Sequence, residues 1–131
     1  MSEYDEIFDV VDSEDIVIGK ASRLQVHNND LMHRSVHILV FNSTGSLFLQ
    51  MWAMIKDESP GLWDSSAAGH VESGEDYISC AKRELNEELS LSDIQLDEVL
   101  SISAQSMTFW EHIRVYKCVT DSKICINMNE I

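Results

Sequence analysis

The stretch from Gly69 to Leu91 constrains the fold of this chain more than any other part of its sequence. A glycine-containing loop runs into a segment in which apolar residues recur from Ile78 to Leu89 at steps of three and four residues. This spacing predicts an amphipathic helix from about Asp76 to Glu88 with one buried stripe. Such a stripe must pack against another layer, so we expect the other elements to be arranged around this helix.

Three carboxylates share a neighbouring arc of the same predicted helix. Glu84, Glu87 and Glu88 are three and four residues apart, which places them side by side. Like charges at this spacing weaken a helix by roughly 0.2–0.5 kcal/mol per pair. Mg²⁺ or Mn²⁺ would reverse that cost, because both ions prefer carboxylate oxygen. A solvated acidic face is an equally good explanation of these three residues alone.

The full spacing of the stretch favours the metal. It follows the pattern Gly-x5-Glu-x7-Arg-Glu-(apolar)-x-Glu-Glu, whose positions are Gly69, Glu75, Arg83, Glu84, Leu85, Glu87 and Glu88. This pattern resembles the Nudix box, the signature of hydrolases that cleave diphosphates linked to another group. The box usually continues with Gly where this chain has Ser90, and Ser adopts the left-handed turn that ends a helix less readily. We expect a small cost in stability there and no loss of chemistry.

The composition indicates a single globular domain over residues 1–131. Apolar residues make up 44% and charged residues 24% of the chain, as in soluble proteins. The sequence has no apolar run near the ~20 residues of a membrane span and no basic-then-apolar leader. Its three cysteines lack metal-site spacing, which favours free thiols in a reducing compartment. We therefore predict a cytoplasmic protein with no membrane partner.

The net charge of −14 restricts the possible partners. Nucleic acid would be repelled over most of such a surface, so we predict no nucleic-acid partner. A small-molecule diphosphate substrate would be repelled too, unless metal ions screen its charge. The charge therefore agrees with a metal-dependent site without demonstrating one.

Strand patterns surround the predicted helix and indicate an α/β layered domain. Two short runs separated by acidic residues predict a hairpin, and the later apolar runs predict further strands. The predicted strands are Glu6–Val11, Ile16–Lys20, Val36–Phe41, Leu47–Met51, Trp63–Ala68, Val99–Gln105, Phe109–Thr120 and Lys123–Ile126. Between them, Ala21–His27 could form one or two helical turns, and Asn42–Gly45 is a strong turn signal.

The resemblance implies the Nudix fold, a mixed β-sheet sandwiched between helices. Family members usually end in a helix that covers the sheet. Here Asn127–Ile131 resembles the start of such a helix, so the C-terminal helix would be truncated after one turn. We expect the uncovered apolar patch to be satisfied by self-association as a homodimer.

Beyond the box, the chain resembles one Nudix subfamily from about Glu6 to Ile126. This subfamily contains uncharacterised bacterial hydrolases similar to isopentenyl-diphosphate isomerase. The segments that carry the resemblance are Phe8–Asp12, Val17–Ala21, His33–His37 and Pro60–His70.

Two reactions are therefore in competition. The isomerase carries a catalytic Cys directly before the box Gly-His, and this chain has Ala68, which has no proton to exchange. This disfavours the isomerase. The resemblance also implies that His27, His33 and His70 match metal ligands of the isomerase and that Glu111 matches one of its acids, although the spacing from His27 to His33 differs.

For a hydrolase, the resemblance implies a role for each residue of the box. Glu84, Glu87 and Glu88, with the backbone carbonyl of Ala68, would hold one to three Mg²⁺ or Mn²⁺ ions and activate a water that attacks phosphorus. Glu84 or Glu111 would act as the base. Arg83 would orient the carboxylates, and Glu75 would brace the junction between the Gly69 loop and the helix.

The substrate is less constrained than the reaction. Nudix relatives usually place two arginines at the end of the strand predicted here at Leu47–Met51, where this chain has Met51 and Trp52. The candidate substrate contacts are Lys56, Arg34, His70 and Trp52. We expect hydrolysis of a nucleoside diphosphate linked to another moiety. The alternatives are the isomerase and a non-catalytic binding module, against which the intact acids argue.

Overall fold

The computed structural model describes residues 6–48, 50–51, 63–64 and 66–126. A short 3-10 turn, Ser106–Thr108, precedes the last strand. In chain order the elements are β1 (Ile7–Val11), β2 (Val17–Ser22), α1 (Arg23–Asn28), β3 (His33–Phe41), β4 (Leu47–Phe48), β5 (Gln50–Met51), β6 (Trp63–Asp64), β7 (Ala67–His70), α2 (Tyr77–Leu89), β8 (Asp97–Ile102) and β9 (Glu111–Val119).

A mixed sheet lies at the centre of the domain, with β3 in its middle. β3 pairs in parallel with β9 from His33 opposite Glu111 to Phe41 opposite Val119. β4 and β7 pair with β3 in antiparallel fashion, and β8 pairs with β9 in the same way. The predicted α/β fold with a mixed sheet is confirmed, as is the hairpin, formed by β1 and β2.

The core lies between this sheet and α2. Val36, Ile38 and Val40 of β3 are buried, and they belong to one cluster with the apolar stripe of α2 from Ala81 to Leu89. Burial of one such side chain stabilises a fold by about 1.5–3 kcal/mol. The predicted helix and its stripe are therefore confirmed, and α2 is fixed against the sheet along its length.

Both ends of α2 are capped. The Asp76 side chain accepts a hydrogen bond from the Ser79 amide at 2.8 Å, which satisfies one of the amides that a helix N-terminus leaves unpaired. Ser90 takes the left-handed conformation with φ 59°, in the position where the family usually has Gly. Its hydroxyl donates to the Cys125 carbonyl at 3.1 Å, which offsets part of the strain.

The predicted last strand is wrong. Lys123–Ile126 has no strand structure; instead, the Cys125 amide donates to the carbonyl of Leu89 at the end of α2. The expected helix at Asn127–Ile131 lies outside the described residues, and self-association stays a prediction. No helix in the part of the chain that the structure describes is long and apolar enough to cross a membrane.

Candidate active site

Gly69 brings the sheet and α2 into close contact at the box. In the antiparallel pairing of β7 with β3, Gly69 lies opposite Val36 and faces α2. A Cβ atom at Gly69 would overlap the carboxyl group of Glu84. Gly is required here because the carboxyl group of Glu84 occupies the space that a side chain at position 69 would need.

Arg83 ties the carboxylates of the box together. Its Nε and Nη2 donate to the two carboxylate oxygens of Glu75 at 2.8 and 2.9 Å, a bidentate pair. Its Nη1 donates to Glu84 at 2.6 Å and to Glu87 at 3.3 Å, and Nη2 also donates to the His70 carbonyl at 3.2 Å. The hydrogen bonds to Glu75, and then the negative charge of Glu84, raise the pKa of Arg83 above its ordinary value. Glu75 thereby anchors the guanidinium at the junction between loop and helix.

Glu84 and Glu88 form a buried acidic pair. Their exposed fractions are only 8% and 7%. Burial, and then the hydrogen bond and charge of Glu88, raise the pKa of Glu84 above its ordinary value. Two buried carboxyl groups joined by a hydrogen bond suit a divalent cation that prefers oxygen ligands. The residues present therefore fit Mg²⁺ or Mn²⁺.

A second cluster joins His33, His70 and Glu111. The Nε2 atom of His70 lies 3.0 Å from a Glu111 carboxylate oxygen, and Nε2 of His33 lies 3.4 Å from the same oxygen. Ligand atoms of all three residues lie within 4.8 Å of one another. The ring of His27 is adjacent, with its centroid 6.3 Å from that of His33 and 6.2 Å from that of His70.

A hydrogen bond to the main chain orients the ring of His33. Its Nδ1 lies 2.9 Å from the Leu31 carbonyl, which can only accept, so Nδ1 carries a proton and Nε2 is the atom turned toward Glu111. This Nε2 is buried and has no hydrogen-bond partner among the described residues. Two imidazoles and a carboxylate fit a divalent transition metal.

Glu111 is held in its ionised form. Burial alone would raise its pKa, but the contacts with His33 and His70 outweigh burial and lower the pKa well below its ordinary value. An ionised carboxylate beside two imidazoles is suited to metal ligation or to charge stabilisation. It is a weak proton acceptor as it stands.

The acidic pair of Glu84 and Glu88 and the cluster of His33, His70 and Glu111 meet at β7. Consecutive residues of a strand point to opposite faces of a sheet, so Gly69 faces α2 and Glu84, whereas the ring of His70 faces His33 and Glu111. Ala68 lies opposite His37 in β3, and its methyl group has no acid or base to offer. The carbonyl of Ala68 as a metal ligand stays a prediction.

The structure does not bring every predicted residue to this place. The Nε of Arg34 donates to the Asp15 carboxylate at 2.7 Å and its Nη2 to the Asp15 carbonyl at 2.8 Å, and its guanidinium lies 5.4 Å from the centre of the Tyr77 ring. Arg34 as a substrate contact thus stays a prediction, with its guanidinium already engaged. Lys56 and Trp52 lie outside the described residues.

The family resemblance matches His27, His33 and His70 to metal ligands, with a spacing from His27 to His33 that differs, and His70 is also a candidate substrate contact. The structure unites His33 and His70 with Glu111 because β3 and β9 are parallel neighbours in register. Two further residues near the site, Phe8 and Asp9, were not singled out for a role. No local signal distinguishes either of them within an ordinary strand pattern.

Comparison with known proteins gives a consistent result. The profile described as NUDIX domain matches residues 31–124. An isopentenyl-diphosphate Delta-isomerase of Serratia proteamaculans is 40% identical over 102 residues, 78% of this chain and 56% of the relative. An uncharacterised Nudix hydrolase of Pseudomonas aeruginosa is 40% identical over 93 residues, 71% of this chain and 55% of the relative. The chain thus spans little more than half the length of these two curated relatives.

Among solved structures, the crystal structure of DR0079 from Deinococcus radiodurans has a TM-score of 0.81 at 28% sequence identity. The match covers 96% of this chain and 79% of that protein. It therefore includes the hairpin β1–β2, which precedes the residues that the NUDIX domain profile matches.

Proposed function

We propose that this chain, which belongs to the NUDIX domain family, is a metal-dependent hydrolase of a nucleoside diphosphate linked to another moiety. Membership of the family supports pyrophosphohydrolase activity in general. The metal and the substrate are our proposal. One observation carries it: Glu84 lies against Gly69 at the end of a guanidinium clamp that also holds Glu75 and Glu87.

We assign the metal to Glu84, Glu87 and Glu88, with the carbonyl of Ala68. A bound Mg²⁺ or Mn²⁺ would neutralise diphosphate oxygens and lower the pKa of a coordinated water. The clamp of Arg83 keeps the carboxylate of Glu84 in one orientation, so that little reorganisation is required when the substrate binds. Arg83 is a positioning residue in this proposal.

The base is either Glu84 or Glu111. Glu111 is engaged by two imidazoles and is held ionised, which favours it as a ligand in the cluster of His33 and His70. Glu84 lies beside the box glycine, and its raised pKa makes its ionised form the stronger proton acceptor of the two. We therefore propose Glu84 as the group that accepts the proton from that water.

The experiment is a turnover assay with a panel of diphosphates. Nucleotide sugars, dinucleotides, coenzymes and prenyl diphosphates would be tested for release of phosphate or nucleotide with Mg²⁺ and with Mn²⁺. Glu88→Gln is expected to lower turnover by at least about a hundredfold while the domain stays folded. Glu98→Gln, on β8 at the sheet edge away from β7, is the matched control. Equal turnover in both variants would refute the metal assignment.

A second candidate is isomerisation of isopentenyl diphosphate. The cluster of His33, His70 and Glu111 favours it, as does the likeness to a relative named as such an isomerase. Ala68 opposes it, because isomerisation moves protons at carbon and this position has no acid. Incubation of isopentenyl diphosphate in heavy water, followed by NMR, distinguishes the two: deuterium in the carbon chain without release of phosphate would replace our proposal.

A further inference from the structure

The hairpin β1–β2 lies before residue 31, where the NUDIX domain match begins. Two consecutive residues of its first strand, Phe8 and Asp9, are both buried. Because neighbours on a strand point in opposite directions, these two side chains reach different parts of the molecule. Phe8 contacts the cluster of His33, His70 and Glu111, and Asp9 contacts the loop that precedes α2.

Phe8 is packed against the histidine cluster. Its side chain is fully buried. Its ring stacks on His33 with centroids 5.8 Å apart and planes 6° apart, and on His70 with centroids 5.1 Å apart and planes 24° apart. The two imidazoles therefore cannot rotate away from Glu111 without displacing a buried aromatic ring.

Asp9 holds the loop that precedes α2. Its exposed fraction is 8%. One carboxylate oxygen accepts a hydrogen bond from the Ser73 hydroxyl at 2.8 Å, and the other accepts one from the Gly74 amide at 3.3 Å. Gly74 has φ +84°, a conformation that side chains rarely adopt. The Ser73 amide also donates to the Ile7 carbonyl at 2.8 Å.

The loop transmits this anchoring to the box. Directly after Gly74 comes Glu75, whose carboxylate also accepts from the Glu72 amide at 3.1 Å. Glu75 forms the bidentate pair with Arg83, and Arg83 in turn donates to Glu84. A series of hydrogen bonds, linked through the peptide bond from Gly74 to Glu75, thus runs from Asp9 to the carboxylate that lies against Gly69.

We propose that β1 positions both parts of the site: Phe8 orients the imidazoles of the His33, His70 and Glu111 cluster, and Asp9 orients the carboxylates of the box. The inference rests on the proposed function for the claim that the carboxylates of the box bind metal. Partners that orient metal ligands without touching the ion typically change metal affinity by about 10–100-fold. Phe8 and Asp9 are positioning residues of this kind.

Direct metal binding tests the proposal without turnover. Co²⁺ bound to imidazole absorbs visible light, and the part of that signal that His33→Gln abolishes reports the histidine cluster. Mg²⁺ prefers oxygen ligands only, so calorimetry with Mg²⁺ reports the box. Phe8→Leu and Phe8→Met are expected to weaken Co²⁺ binding by about tenfold and Mg²⁺ binding by less than about twofold. Asp9→Asn is expected to give the opposite pattern.

Two variants control for general loss of stability. Phe41→Leu makes the same substitution at the end of β3 that is remote from His33. Asp121→Asn alters another carboxylate that accepts a backbone hydrogen bond, here from the Ser43 amide at 3.0 Å. Both should bind each ion as the wild type does. The proposal is overturned if Phe8→Leu and Phe8→Met, or Asp9→Asn, leave metal binding unchanged, or if each weakens both ions equally. Absence of turnover with either metal refutes the proposed function alone, because these titrations contain no substrate.

Discussion

Replacement of Gly69 by Ala separates the geometry of the box from the stability of the fold. The added Cβ would lie 2.6 Å from Cγ of Glu84 and closer still to its carboxyl group. Real Cβ atoms do not approach other heavy atoms so closely, so one of the two groups must move. The Glu84 side chain is the softer of the two, because Gly69 is held by the β7–β3 pairing.

The magnitude follows from what restrains Glu84. Its carboxylate accepts from Arg83 at 2.6 Å, so a displacement either breaks that hydrogen bond or shifts the guanidinium as well. Overpacking of a buried site costs about 1–3 kcal/mol, and we expect the lower end because a side chain can yield. A catalytic group displaced by about 1 Å can lose a factor of about 10² in rate. We therefore predict a large loss of kcat with a small loss of stability.

The assay measures Mg²⁺-dependent turnover and the free energy of unfolding in urea for the same preparations. Gly19→Ala is the matched control, because a Cβ at Gly19 meets nothing within 4 Å and the position is exposed on β2. Gly69→Ala should lose at least about tenfold in kcat, and Gly19→Ala should retain the wild-type rate. Wild-type turnover in Gly69→Ala would refute the placement of Glu84 against the box glycine.

Three further perturbations test other parts of the site. Arg83→Lys removes the planar fork that matches Glu75, so kcat should fall by about tenfold with the chain still folded, as circular dichroism would check; an unchanged rate would contradict the clamp. Because the pKa of Glu111 is lowered from its ordinary value of 4.5, its ionised carboxylate stabilises the fold at a pH above that value. This stabilisation is lost as the pH falls below the ordinary pKa, since the unfolded chain then binds more protons. Urea midpoints measured from about pH 6 to about pH 3 should therefore decline more steeply for the wild type than for Glu111→Gln, and parallel curves would count against the ionised carboxylate. Ser90→Ala keeps the strain but loses the bond to Cys125 and should destabilise the fold by about 0.5–1.5 kcal/mol, whereas Ser90→Gly should regain this through relief of strain; equal stability of the Ala variant and the wild type would contradict a role for the hydroxyl.

Local patterns in the sequence sufficed for α2 and for the hairpin. The stripe from Ile78 to Leu89 has one period that only a helix satisfies, and the acidic turn of the hairpin is stabilised by its own side chain, since Asp12 accepts from the amides of Glu14 and Ile16. These contacts lie within a few residues of one another. Sequence spacing therefore carried enough information to predict both elements.

Long-range register was beyond the sequence. His33 and Glu111 face each other because β3 and β9 pair in parallel, and nothing in either strand specifies that partner. Arg34 shows the same limit, because strand alternation directs it away from the His33 side and only the fold places Asp15 within its reach. The failed strand prediction at Lys123–Ile126 has a related cause, as this β-favouring segment directs its Cys125 amide to the carbonyl of Leu89 at the end of α2.

The alternation of Gly69 and His70 on β7 makes the length of this segment as important as its residues. A substitution at either position alters one of the two groups of side chains, but an insertion or deletion of one residue would rotate the strand by one place and send each side chain to the wrong face of the sheet. Both sets would fail together. Homologues that retain both groups of side chains should therefore vary in the identity of neighbouring residues. They should keep constant the number of residues from the start of β7, where it pairs with β3, to the start of α2. Relatives with a different number are expected to have lost both sets together.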